Sequence, residues 1–279
     1  MSELAERDFD FNERDFRRVC ALIHERAGIA LSSSKRDMVY SRLARRLRVL
    51  GHDSFTGYLD ALQSGDDADE WQSFTNALTT NLTSFFREAH HFEHLADYLK
   101  TRREPRITLW CCAASTGEEP YSLAMTACEA FDTLEPPVSI LATDIDTTVL
   151  ETAQRGVYPL ERVRQLSDER KRRFFQRGTG KMDGFCRIHP ALQKLITFRP
   201  LNLLDKTYPI RNPFAAIFCR NVMIYFDKQT QYDVLSRLRP LIVPDGFLYA
   251  GHSESFFHAA DLVQSVGRTI YRPVAGKHA

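Results

Sequence analysis

The segment TTNLTSFFREAHHF, residues 79–92, gathers the small hydrogen-bonding side chains Asn81, Thr83 and Ser84 and one guanidinium, Arg87, around the adjacent rings of Phe85 and Phe86. A core helix would repeat apolar residues at every third or fourth position, and an exposed loop would rarely carry two phenylalanines together. Three further places carry charge beside apolar runs. Glu118 and Glu119 stand side by side in ASTGEEP, VSILATDID ends on Asp144 with Asp146 two residues on, and Arg220 with Asn221 interrupts FAAIFCRNVMIYF. Adjacent carboxylates repel a phosphate and suit a cation or an amino group. They equally suit the positive end of a helix. A carboxylate at the end of a second strand accepts hydrogen bonds from ribose hydroxyls, whereas Asp146 reads better as a helix cap. A charged Arg220 in so apolar a setting needs a partner, and an ion pair is one way to supply it.

The elements that must position these groups follow from periodicity. FRRVCALIHERAG repeats Phe16, Val19, Ile23 and Ala27 at helical spacing and stops at Gly28. SSSKRDMVYSRLARRLRVLG opens on serine caps, lines up Val39, Leu43, Leu47 and Leu50, and closes on Gly51. DSFTGYLDALQSG and DEWQSFTNALTT predict two more short helices. From residue 106, short apolar runs (ITLWCCAA, VSILATD, ITFRPLN, FAAIFCRN, GFLYAGHSES) alternate with helical segments. That alternation predicts an α/β domain with a mostly parallel, doubly wound sheet behind an all-α N-terminal domain. RGTGKMDGFCRIHPAL breaks the alternation and predicts a small antiparallel insert. In such sheets ligands bind outside the carboxyl ends of the strands, where the odd residues fall. Neither G-x-G-x-x-G nor a G-K-[ST] phosphate loop occurs there. The residues fit a phosphate-free nucleoside that carries positive charge. S-adenosylmethionine has those parts: adenine, ribose, a sulfonium and an amino-acid tail.

Composition bounds the rest. The chain has 279 residues, 43% apolar and 26% charged, with net charge +1, which suits globular domains with an ample core and disfavours a whole-surface nucleic-acid binder. The polar start MSELAERDFDFNERDF lacks a signal-peptide pattern, and no long apolar run predicts a membrane span. The cysteines Cys20, Cys111, Cys112, Cys128, Cys186 and Cys219 form no C-x-x-C pair and read as reduced thiols of a cytoplasmic protein. His90 and His94 have helical spacing, but no third ligand is near, so a surface helix and no metal are expected.

Taken in order, TTNLTSFFRE, AASTGEEPYSLA, ATDID, PLNLL, FCRNVMIYF and GHSES resemble the chemotaxis receptor methyltransferases of the CheR family, and RAGI…KRDMVYSRLARRLR resembles that family's helical N-terminal domain. The likeness runs from about residue 12 to 272. It implies transfer of the methyl group of S-adenosylmethionine to glutamate side chains of chemoreceptors, leaving S-adenosylhomocysteine. It implies a helical domain over 1–78 and a methyltransferase domain over 79–279. Within the latter, 79–92 would be a linker folded over the cofactor and about 174–199 a small β-subdomain. Carried over residue by residue, the cofactor would touch Asn81, Thr83, Arg87, Glu119, Asp144, Asn202, Leu203, Arg220 and Asn221. Arg87 would orient the acceptor carboxylate, and Tyr225 would stand near the transferred methyl.

Partners follow from the same resemblance. A basic arc of Arg42, Arg45 and Arg46 reads as a solvated face or as a docking surface for acid-rich receptor helices, and the resemblance favours docking. The glycines of the insert, with Arg187 following, look like family members that bind a receptor C-terminal peptide on a β edge. Two rival readings keep part of this picture. One is a methyltransferase acting on RNA or a small molecule, against which stands the lack of a stacking platform and of a wide basic surface. The other is a module without catalysis, which predicts eroded cofactor residues where all are present. No nucleic acid and no membrane insertion are expected.

Overall fold

The computed structural model describes residues 8–275; the first seven residues of the polar start, and the ends of the two expected domains at 1 and 279, lie outside the described residues. The chain divides into two compact units, one running to Thr80 and taking in Tyr225–Asp227, the other comprising Asn81–Ile224 and the chain from Lys228 on.

The first unit is helical. Helix α1 (Glu13–Ala27) begins with a capping box in which Asn12 and Asp15 satisfy each other's backbone N–H groups, and Gly28 ends it in the left-handed conformation. Helix α2 (Arg36–Leu50) buries Val39, Leu43 and Leu47 and ends at left-handed Gly51. Leu50 departs from the expected apolar face and is 44% exposed, because the turn at Gly51 leaves it at the helix end. The serines do not cap α2: Ser33–Lys35 form a 3-10 turn, and Lys35 precedes α2 without a side-chain cap. Helices α3 (Phe55–Ser64) and α4 (Ala68–Leu78) follow, capped by Ser54 and Asp67.

The second unit opens with α5 (His90–Thr101) and continues as β1 (Ile107–Cys111), α6 (Glu118–Ala130), β2 (Val138–Asp144), α7 (Thr147–Arg155) and β3 (Val157–Pro159). Then come α8 (Asp168–Phe174), β4 (Phe175–Arg177), β5 (Phe185–Ile188), α9 (Pro190–Lys194), β6 (Ile196–Pro200) and β7 (Phe214–Phe218). Helix α10 (Lys228–Leu238), β8 (Ile242–Tyr249), β9 (Val263–Gly267) and β10 (Ile270–Pro273) complete it. The main sheet has seven strands in the order β6-β2-β1-β7-β8-β10-β9. Its first five strands pair in parallel, as the β-α alternation predicts, and β10 runs antiparallel to both β8 and β9. Fully buried strands such as β7 explain the continuous apolar runs.

The antiparallel insert is a three-stranded sheet in the order β3-β5-β4. It starts earlier and ends sooner than residues 174–199, since β3 begins at Val157, β5 ends at Ile188, and β6 belongs to the main sheet. The physical reason is pairing at a distance: Val157 registers with Arg187 across thirty positions of chain, which local composition does not reveal. The six cysteines are free thiols. Among the described residues no helix is long and apolar enough to cross a membrane.

Candidate active site

Parallel pairing places the carboxyl ends of β1, β2, β6 and β7 along one rim of the sheet. Cys111 registers with Ala142 and Phe218, and Asp144 with Pro200. The loops leaving these strands carry Ser115–Glu119, Asp144–Asp146, Leu201–Leu203 and Arg220–Asn221.

Asp144 is buried at the end of β2. Its oxygens accept the backbone N–H groups of Ser115 at 2.8 Å and Asp146 at 2.9 Å. Burial pushes its carboxyl up to about 6, although those backbone donors pull the other way. A carboxylate offers about four acceptor positions, so capacity for hydroxyl donors remains. Asp146 instead caps α7, accepting the Thr148 and Val149 N–H groups. It also accepts a 2.8 Å bond from the Asn81 amide, which fixes the start of the 79–92 segment against the second strand end.

The turn after β1 depends on Gly117, whose φ of +100° favours glycine. A Cβ at this position would lie 2.7 Å from the Tyr158 hydroxyl and 2.8 Å from the Ala153 Cβ. Glu118 and Glu119 follow in the first turn of α6, and both are buried. Glu119 accepts from Arg220 at 2.5 Å and from the Cys111 thiol at 3.2 Å, while burial pushes its carboxyl up against the pull of Arg220. Arg220 therefore sits in an ion pair, as its apolar surroundings require. It also approaches Glu88 at 3.3 Å and donates to the Arg87 carbonyl. Burial opposes ionisation of Glu88, yet the His252 N–H, Arg220 and the Asn221 amide together hold its carboxyl below the usual range.

The 79–92 segment is anchored by its rings. Phe85 meets Tyr158 at 5.1 Å and Phe175 at 5.5 Å, edge to face. Phe86 packs against Phe92, takes the Arg170 guanidinium over its ring at 3.7 Å, and donates its N–H to the Ser122 hydroxyl. The Arg87 side chain is half-buried and donates to the Leu82 carbonyl at 3.0 Å; the Thr83 carbonyl accepts from Arg162 at 3.1 Å. Four non-glycine residues here have positive φ: Phe86 (53°), Glu88 (60°), Ser115 (48°) and Asn221 (58°). Such conformations cost on the order of 1–3 kcal/mol each and persist where the surroundings enforce them.

Asn221 shows that enforcement. Its N–H donates to Glu254 at 3.0 Å, and Glu254 also accepts the N–H groups of Gly251 and Ile224. Asn202 accepts the Leu204 N–H at 3.0 Å, and Leu203 is buried with its carbonyl bonded to Tyr208 and Arg237. Sequence reasoning gave no role to Glu88, Glu254 or Ser115. An acid shortly after a strand end was the available signal for Glu254.

Other expected residues lie on other elements. Tyr225 falls in the helical unit, where its carbonyl accepts the Ala30 N–H at 3.1 Å. In the same unit Arg42 donates to the Ala77 and Thr79 carbonyls, and Arg46 grips the Glu70 carboxylate, which also accepts the Tyr58 hydroxyl. Two members of the basic arc thus fasten α4 to α2, and Arg45 is the exposed one. Arg187 is exposed on β5, the central strand of the small sheet, while the edges are β3 and β4. The histidines do not lie on a plain surface helix. His91 is fully buried, bonded to Thr269 at 2.9 Å, and pushed down to about 3 by burial and by Arg220; His94 bonds the Tyr249 hydroxyl.

The rim brings together a buried strand-end carboxylate, amides on the flanking segments, and acidic rather than basic groups at the α6 start. Comparison with known proteins agrees. Residues 81–272 match the family model of the CheR methyltransferase SAM-binding domain, and residues 14–79 match the CheR methyltransferase all-alpha domain. The chain is 51% identical over 260 residues to a chemotaxis protein methyltransferase of Escherichia coli, covering 93% of this chain and 91% of that one. It is 51% identical over 260 residues to one of Salmonella typhimurium, with 93% and 90% covered. Against chemotaxis protein methyltransferase 2 of Pseudomonas aeruginosa it is 50% identical over 268 residues, covering 95% of each.

Proposed function

The chain belongs to the CheR methyltransferase family, and from that premise we propose that it methylates glutamate side chains of chemoreceptors, giving γ-glutamyl methyl esters and S-adenosylhomocysteine. The observation that carries this reading is the match of both family domains across nearly the whole chain, together with a rim of the sheet that holds the expected polar groups.

S-adenosylmethionine supplies an electrophilic methyl group when bound. A glutamate carboxylate has a reference pKa of about 4.3, so it is already the nucleophile at neutral pH and needs no general base. The residues of this chain have to hold, orient and dry the reactants. Asp144 would take the ribose, with Asn81, Thr83, Arg87, Glu119, Asn202, Leu203, Arg220 and Asn221 completing the cofactor set and no metal among them. The 79–92 segment would cover the cofactor, kept in place by Phe85 and Phe86. Arg87 would orient the acceptor through its planar fork, and Tyr225 would position a reactant near the methyl. The substrates would be the cytoplasmic methylation helices of receptors, and the enzyme would then act in the cytoplasm. Arg45 is the exposed cation of the docking arc. A receptor-tail peptide adding to an edge of the small sheet, beside Arg187, would raise local concentration.

The test is incubation with methyl-labelled S-adenosylmethionine and either receptor-bearing membranes or total RNA, with mass spectrometry of the product. Base-labile esters on receptor glutamates are expected. Label on RNA with none on receptors would replace the substrate assignment.

A further inference from the structure

Arg162 lies in the short 3-10 turn (Leu160–Val163) that follows β3, outside every strand end of the main sheet. Its guanidinium reaches two places at once. It donates to the Thr83 carbonyl at 3.1 Å and stands 3.5 Å from the Glu118 carboxylate. Glu118 is buried, and its other oxygen accepts the Thr116 hydroxyl at 2.6 Å; the oxygen that faces Arg162 has no hydrogen-bond partner within bonding distance. One side chain therefore links the segment that carries Asn81, Thr83 and Arg87 to the turn at the start of α6.

Other groups of the insert bear on the same two segments. Tyr158, on β3, donates to the Thr116 carbonyl at 2.7 Å and packs against Phe85. Phe175, on β4, meets the other side of Phe85, and Arg170, on α8, covers Phe86. The rings give affinity without direction, since they hold the segment near the sheet. Arg162 adds direction, because it bonds a specific carbonyl and is fixed from behind by a buried charge. Its side chain is 46% exposed, so it can let go without breaking the core.

We propose that Arg162 is a positioning residue for the cofactor: it straps the 79–92 segment to Glu118 and so keeps that segment closed over the binding rim. The inference rests on the methyltransferase reading above. It extends that reading by giving the antiparallel insert a role in cofactor retention, separate from any role in docking.

The test compares wild type with Arg162→Gln and Arg162→Lys. Calorimetry with S-adenosylhomocysteine should show affinity reduced about tenfold in Arg162→Gln, the scale of one charge-assisted hydrogen bond. Arg162→Lys, which keeps the charge but not the fork, should recover part of the loss. Steady-state kinetics should show a larger change in the KM for S-adenosylmethionine than in kcat, and amide exchange over residues 81–87 should quicken in the variant. Thermal melting checks that each variant folds, and the exposed position makes misfolding of the lysine variant unexpected. Binding by Arg162→Gln within twofold of wild type, with unaltered exchange of the segment, would overturn the strap while leaving the methyltransferase reading intact. Absence of binding by the wild type would overturn that reading and the strap with it.

Discussion

Lowering the pH should weaken cofactor binding through Asp144. Burial raises this carboxyl to about 6 in the cofactor-free protein. About nine in ten molecules then carry it ionised at pH 7 and about one in ten at pH 5. On the proposed reading, ribose hydroxyls would donate to the ionised form, and binding would lower the pKa. The sign follows: affinity is high above the free pKa and falls about tenfold, roughly 1.4 kcal/mol, from pH 7 to pH 5. Asp144→Asn removes the ionisation. It should weaken binding at pH 7 by about ten- to a hundredfold, the scale of lost hydrogen bonds to a charged group, and abolish this component of the pH slope. Calorimetry with S-adenosylhomocysteine across pH 5 to 8, done in parallel on both proteins, separates this component from any ionisation of the ligand. Parallel slopes for the two would refute the argument. The same shift acts oppositely on the stability of the cofactor-free fold. A buried carboxyl with a raised pKa favours the folded state below its unfolded pKa, and that contribution, up to about 3 kcal/mol, is lost as pH rises from about 4 to 6.

Arg87→Ala should cut methyl transfer by at least about a hundredfold with a smaller change in cofactor affinity, measured by turnover and calorimetry, if the guanidinium orients the acceptor. Gly117→Ala should impair the site strongly, since a side chain would be strained at this positive φ and collide with Tyr158 and Ala153; loss of cofactor binding with a melting temperature several degrees lower is the expected pair of readings. Arg42→Ala should destabilise the helical unit by about 1–3 kcal/mol in urea unfolding, because the Ala77 and Thr79 carbonyls lose their donor, whereas Arg45→Glu should leave stability within about 0.5 kcal/mol and lower receptor methylation in a salt-dependent way. His91 should stay neutral, giving no imidazole titration by NMR between pH 5 and 8, as its pKa of about 3 requires.

The sequence alone determined whatever depends on local period and residue type. Phe16, Val19, Ile23 and Ala27 mark a helix face because their spacing matches its pitch. Five apolar runs between helices mark parallel strands, and an acid ending the second run falls at the rim where ligands bind, because parallel sheets gather strand ends at one edge. Tertiary structure decided what depends on pairing across distance. Arg42 and Arg46 look like Arg45 in the sequence, and only the neighbouring α4 separates bonded guanidinia from an exposed one. His91 looks like His90 and His94, and only its packing against Tyr249 and Phe218 makes it a neutral core ring. Glu88 and Glu254 become anchors for Asn221 through contacts spanning 133 and 33 positions. The strand β3 exists as a strand because β5 comes to lie beside it. A hydrogen bond or ion pair is set by where two backbones meet, and no local pattern of residues carries that information.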